Sequence, residues 1–150
     1  MSRFVFLCFL LITLTNHVHS QNNSDNEQIL VNTILQDNSK YKILYIYCNY
    51  CQISVERFPK LCKFVKSNEN FKLFPICAQD STELLDYRNE YNQTIHFINQ
   101  GRKRKAISFY NPIKATCKFL KKNFDVDIKK IGASDYIIID RNNNITCWLN

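Results

Sequence analysis

Two cysteines three positions apart, Cys48 and Cys51, are the residues best placed to do chemistry in this chain. They follow Ile43–Tyr47, a β-branched and aromatic run whose side chains suit a buried strand. They precede a helical pattern in which Val55, Phe58, Cys62 and Val65 recur every three or four residues, which sets them on one helix face. A thiol at such a junction lies among the unpaired N–H groups of the first turn, where the helix dipole favours its thiolate. The thiolate is the nucleophile of thiol–disulfide exchange, so the layout points to redox chemistry at sulfur.

The stretch Tyr45-Ile-Tyr-Cys-Asn-Tyr-Cys-Gln-Ile-Ser-Val-Glu-Arg-Phe-Pro59 resembles the strand–Cys-x-x-Cys–helix opening of the thioredoxin superfamily, in particular its secreted redoxin branch. Two registers fit. Composition makes Cys48-Asn-Tyr-Cys51 the redox motif. The family's helix-kinking proline, five residues after the second motif position, matches Pro59 only if the motif is Cys51-Gln-Ile-Ser54. That second register is preferred, because it aligns strand and helix without a gap. It implies that Cys51 is the attacking sulfur, that Ser54 replaces the resolving cysteine, and that Tyr50 holds the aromatic position before the first cysteine.

Cys48 then falls in the approach loop. Ser54 cannot resolve a mixed disulfide, although its hydroxyl could hydrogen-bond the Cys51 thiolate. Cys48 could resolve it if the two sulfurs are close. A disulfide needs Cα atoms within about 7 Å, whereas three residues of extended strand span roughly 10 Å. The pair can therefore form only if the chain has already turned at Cys48, and the sequence leaves that open.

A second stretch carries the same resemblance. Ile131-Gly-Ala-Ser-Asp-Tyr-Ile-Ile-Ile-Asp140 is similar to the family's Gly-x-Pro-Thr followed by an apolar strand ending in Ile-Asp, then a turn and a last strand. Ser134 stands where the family has its cis-proline. The resemblance implies that Ala133 and Ser134, together with Tyr50, line the substrate-docking edge. A cis bond before a non-proline residue costs about 2.5–4 kcal/mol, so Ala133–Ser134 is expected to be trans and that edge to be altered. The implied fold is α/β, a thioredoxin-like central mixed sheet flanked by helices, with the closing C-terminal helix missing.

The rest of the chain must position these residues. Residues 1–20 read as a secretory signal: Arg3, the apolar run Phe4–Leu14, then Asn16-His-Val-His-Ser20. The apolar run is too short to span a bilayer, so a secreted or periplasmic chain without a stable membrane anchor is expected. Residues 21–38 comprise a polar segment and an amphipathic helix, Glu27–Gln36, capped by Asp25 or Asn26. Residues 39–150 form the thioredoxin-like domain. Within it, Phe71–Cys77 reads as a strand that Pro75 confines to an edge or a bulge. A helix over Thr82–Tyr91, a short β-like piece at Thr94–Ile98, a helix from Pro112 to about Phe124, and a closing hairpin follow.

Composition narrows the partners. Only Arg3 among the charges lies in the leader, so the remainder of this net +7 chain stays basic. The cluster Arg102-Lys-Arg-Lys105 reads as a solvated loop, because no aromatic stacking pattern or recognition helix accompanies it, and no nucleic acid is expected. Of seven cysteines, Cys8 lies in the leader; Cys62, Cys77, Cys117 and Cys147 fall on apolar faces and are expected to be buried, inert thiols. No cofactor or metal is expected: beyond the leader His96 is the only histidine, there is no second Cys-x-x-Cys, and Gln52 excludes the haem-attachment motif. His96 reads as a half-buried strand residue. The expected partners are protein thiols and disulfides or a redox partner protein. The other function class consistent with these residues is a thioredoxin-fold binding or structural module without turnover.

Overall fold

The computed structural model describes residues 26–78, 91–98, 110–126, 131–132 and 134–149. Residues 1–20 expected as a leader, all but Tyr91 of the expected helix over Thr82–Tyr91, the cluster Arg102–Lys105 and Ala133 lie outside them. The described chain forms helix α1 (26–36), strand β1 (Tyr41–Ile46), helix α2 (Gln52–Lys66), strands β2 (Phe71–Cys77) and β3 (His96–Phe97), helix α3 (Tyr110–Phe124), and strands β4 (Tyr136–Asp140) and β5 (Ile145–Leu149). The five strands make one sheet in the order β3-β2-β1-β4-β5. β1 is parallel to β2 and antiparallel to β4; β2–β3 is parallel and β4–β5 antiparallel. A central parallel pair continued by an antiparallel hairpin, with helices on both faces, is the thioredoxin-like α/β arrangement expected above.

Each strand is explained by what its two faces meet. β1 is buried on both sides, which is why it reads as a continuous apolar run rather than an alternating one. Ile43, Tyr45 and Tyr47 pack with Phe58 and Cys62 of α2 and with Leu73, Cys77, Ile95 and Phe97. Leu44 and Ile46 pack on the opposite face with Leu30, Val31 and Ile34 of α1 and Phe119 and Leu120 of α3. Thus α1 and α3 together cover one face of the sheet, and α2 covers the other.

The expectation that β2 is an edge strand needs correction. β3 lies outside it, pairing Ile76 with His96 and Cys77 with Phe97. Pro75 is nonetheless tolerated. The Ile76 carbonyl accepts the Tyr47 N–H, so Ile76 turns its backbone toward β1, and the Cys77 carbonyl accepts the Ile98 N–H on the other side. By alternation Pro75 turns its nitrogen away from β1, below the level where β3 begins, and no ladder donor is lost. His96 is half-buried on β3, as expected.

Of the four cysteines expected to be inert, Cys62, Cys77 and Cys117 are buried. Cys147 is not: it is only half-buried on the outermost strand β5, opposite Ile138. A feature with no sequence signal is Lys42, fully buried within β1, whose ammonium donates to the Asn143 side-chain oxygen in the β4–β5 turn. Burial lowers its pKa, and the nearby Asp37 and Asp140 carboxylates act in the opposite direction.

Candidate active site at the β1–α2 junction

β1 delivers the chain to the junction and a turn reverses it at once. The Cys51 N–H donates to the Cys48 carbonyl at 3.2 Å, closing the four-residue turn Cys48-Asn49-Tyr50-Cys51. A β-turn of this kind holds its first and last Cα atoms within about 7 Å, inside the range a disulfide can bridge. The chain has therefore already turned at Cys48, which answers the question the sequence left open.

Cys51 then caps α2. Its backbone is extended (φ −101, ψ 110), its carbonyl accepts the Val55 N–H at 3.0 Å, and its side chain makes no capping hydrogen bond. No acidic residue lies in the first turn, so no carboxylate competes for the positive end of the helix dipole. Cys51 is half-buried, and the nearby Tyr50 and Ile53 are 51% and 56% exposed.

Cys48 is the opposite case, 1% exposed. Burial pushes its thiol pKa up, the Tyr50 N–H pulls the other way, and the Cys51 sulfur is close enough to add to the rise. The junction thus holds a half-buried cysteine and a fully buried one, joined by a single turn.

Ser54 lies in the first turn of α2, wholly buried. Its hydroxyl accepts the Cys48 N–H at 3.0 Å and lies 3.0 Å from the Tyr45 hydroxyl, which donates to the Ser54 carbonyl at 2.7 Å. The expected role for Ser54, donating to the Cys51 thiolate, is replaced by a different one: the hydroxyl is engaged with the backbone of Cys48 and with Tyr45. It fixes the start of the turn. Burial, the largest influence, pushes the Tyr45 phenol up to about 12.

Ser134 lies beside the same junction. Its N–H donates to the Ile46 carbonyl at 3.2 Å, and the Ile46 N–H donates to the Asp135 carbonyl at 3.0 Å. A proline could not make the first of these bonds. The backbone at Ser134 is left-handed, φ 76, a region that serine rarely occupies. Its carbonyl accepts a hydrogen bond from Arg57 Nη1 at 2.8 Å. The peptide bond before it, with its expected trans geometry, involves Ala133, which lies outside the described residues.

Arg57 is not marked by any motif in the sequence. It follows Ser54 by one helical turn, so i, i+3 spacing puts it on the same side of α2, and a charged residue there was the available signal. Its guanidinium lies 5.9 Å from the centre of the Tyr136 ring. Together these contacts join α2 to the entry of β4.

Comparison with known proteins adds little to this geometry. No family model matches the chain, and no curated protein matches it. Among solved structures it is similar to a thiol:disulfide interchange protein, a thioredoxin family protein from Chlorobium tepidum, with a TM-score of 0.48 and 13% sequence identity over 79% of this chain and 72% of that one.

Proposed function

We propose that this chain is a thiol–disulfide exchange protein of the secreted redoxin kind, working through Cys51 with Cys48 as its resolving partner. The observation that carries this reading is the hydrogen-bonded turn joining a half-buried cysteine at a helix N-terminus to a fully buried one. The Cys51 thiolate attacks one sulfur of a protein disulfide, forming a mixed disulfide and releasing the other substrate sulfur as thiolate. Cys48 then loses its proton and attacks the Cys51 sulfur. The Cys48–Cys51 disulfide forms and the second substrate thiolate leaves; two electrons have passed from the pair to the substrate, and the proton lost by Cys48 is taken up by a released substrate thiolate. An external dithiol returns the pair to its reduced state. Electrons move between sulfurs throughout, so the residues themselves suffice for the chemistry. Tyr50 flanks the incoming chain, and the leader-like residues 1–20 direct the protein to a secreted or periplasmic setting where protein disulfides are found.

A second reading, a thioredoxin-fold module without turnover, is favoured by one observation: the Ser54 hydroxyl and the Ser134 carbonyl are both engaged internally. Trapping separates the two. The chain is equilibrated in thiol–disulfide buffers of graded potential, alkylated and mapped by mass spectrometry, alongside Cys48→Ser and Cys51→Ser. Exchange predicts that Cys48→Ser accumulates a mixed disulfide on Cys51. It also predicts that the unsubstituted chain forms a Cys48–Cys51 bridge reducible above about −300 mV. Because burial raises the Cys48 thiol, the mixed disulfide should clear faster as pH rises. A Cys51 that stays unmodified, or a bridge resisting reduction below that potential, would leave only the module.

A further inference from the structure

We propose that Asn92 and Asn144 are N-glycosylation sites whose glycans shield the two outer strands of the sheet, β3 and β5. This rests on the secreted setting proposed above, here a eukaryotic secretory route. Both residues head the acceptor pattern Asn-x-Ser/Thr with a residue other than proline in the middle, as Asn92-Gln-Thr94 and Asn144-Ile-Thr146. Asn92, Thr94, Asn144 and Thr146 are all exposed. In the transfer, the asparagine Nδ2 attacks the anomeric carbon of an oligosaccharide carried on a lipid pyrophosphate. The C–N bond forms as the C–O bond to the pyrophosphate breaks, the lipid pyrophosphate leaves with that electron pair, and Nδ2 gives up one proton. Asn144 accepts the sugar without losing its present contact. Its Nδ2 donates one hydrogen to Asp140 Oδ2 at 3.3 Å, and a side-chain amide carries a second.

Strand order decides what the two positions have in common. Among the described residues the sheet runs β3-β2-β1-β4-β5, so β3 and β5 are its outer strands. Asn92 lies just ahead of β3, and Asn144 immediately precedes Ile145, the first residue of β5. An outer strand offers unpaired N–H and C=O groups to a second chain, and a bulky solvated group beside it blocks that approach. β3 has 2 residues and offers little, whereas β5 has 5 and begins at Ile145, which is 45% exposed. Asn144 is therefore the more consequential site. It also stands clear of the thiols. Asp140, at the other side of its turn, pairs with Tyr41 at the start of β1, roughly 16 Å along the strand from the end that leads to Cys48.

The test is translation of the full chain with endoplasmic-reticulum microsomes, using Asn22→Gln to silence a third such pattern, Asn22-Asn-Ser24, outside the described residues. The expected product is protected from added protease and loses two mobility steps on treatment with a peptide-N-glycosidase. Asn92→Gln and Asn144→Gln should each remove one step, as should Thr94→Ala and Thr146→Ala, while Thr146→Ser should retain it. Transfer acts on the nascent chain, so the steps are read whether or not a variant folds. A protected chain without these steps overturns the proposal. A chain left open to protease overturns the secreted setting, a different result, and the proposal falls with it. Shielding is read by sedimentation of the chain secreted from eukaryotic cells, before and after native glycosidase treatment, with reductant present to exclude intermolecular disulfides. The treated chain should self-associate at lower concentration, and Asn144→Gln should do so more than Asn92→Gln. Equal association before and after treatment would overturn the shielding role.

Discussion

Ser134 is the residue at which this chain departs most clearly from the proline-bearing pattern it resembles, and its environment shows why a proline does not fit. Its N–H is used by Ile46, and its φ of 76 lies far from the value a proline ring imposes. A left-handed backbone costs an L-residue about 1–2 kcal/mol, a cost that glycine avoids while losing more entropy on folding. Ser134→Gly should therefore shift stability by no more than about 1 kcal/mol, whereas Ser134→Pro should destabilise by roughly 3 kcal/mol. The midpoints of urea unfolding check both. At this scale the sequence showed which residues are present and little of what they touch. The proline spacing pointed to Ser54 as the second motif position, but the partners of its hydroxyl became visible only when β1 and α2 stood side by side. Arg57 and Ser134 are 77 residues apart, and nothing local links them.

Helices and strands were more readable, because hydrophobic periodicity is a local property. The α2 pattern and the Phe71–Cys77 strand appear where the spacing placed them. α1 shows the limit of such reading. Its apolar residues Ile29, Leu30, Val31, Ile34 and Leu35 make a stripe broader than any one contact face. Packing selects Leu30, Val31 and Ile34 for the core and leaves Ile29 62% exposed. Ile34, at 0% exposure, should lose about 2–5 kcal/mol on substitution by alanine, while Ile29→Ala should change stability by less than about 0.5 kcal/mol. Denaturant titration of the two variants tests whether α1 is an integral part of the sheet's cover. A two-residue strand such as β3 carries too little pattern to reveal that it lies outside β2. Cys147 likewise sits in an apolar run, yet on an outermost strand with less cover than its sequence implies.

The whole molecule stores its most unusual titratable groups inside, and this sets its response to alkali. Cys62 is shifted by burial from 9.0 to about 11, and Tyr45, chiefly by burial, from 10.0 to about 12. Both are acids that the folded state keeps protonated after the unfolded chain has released its proton. The stability they contribute is fully present below pH 9 and is lost as pH rises, from 9 to 11 for Cys62 and from 10 to 12 for Tyr45. Each such shift corresponds to about 3 kcal/mol at the top of its window. The urea midpoint should therefore decline steadily above pH 9. Cys62→Ala, less stable at neutral pH through its cavity, should show a shallower decline between pH 9 and 11 than the unsubstituted chain.

Local sequence was enough to define a strand, two thiols and a helix in succession, to place Cys51 at the helix start, and to recognise the closing hairpin, because periodicity, turn residues and proline geometry act over a few positions. It could not show that Cys48 is fully buried while Cys51 is only half-buried, that Ser54 secures the turn between them, or that a lysine is buried in the central strand. Those outcomes depend on which surfaces meet. An apolar stripe records that a face will be covered, and only the assembled sheet and helices decide what covers it and which polar groups are brought together there.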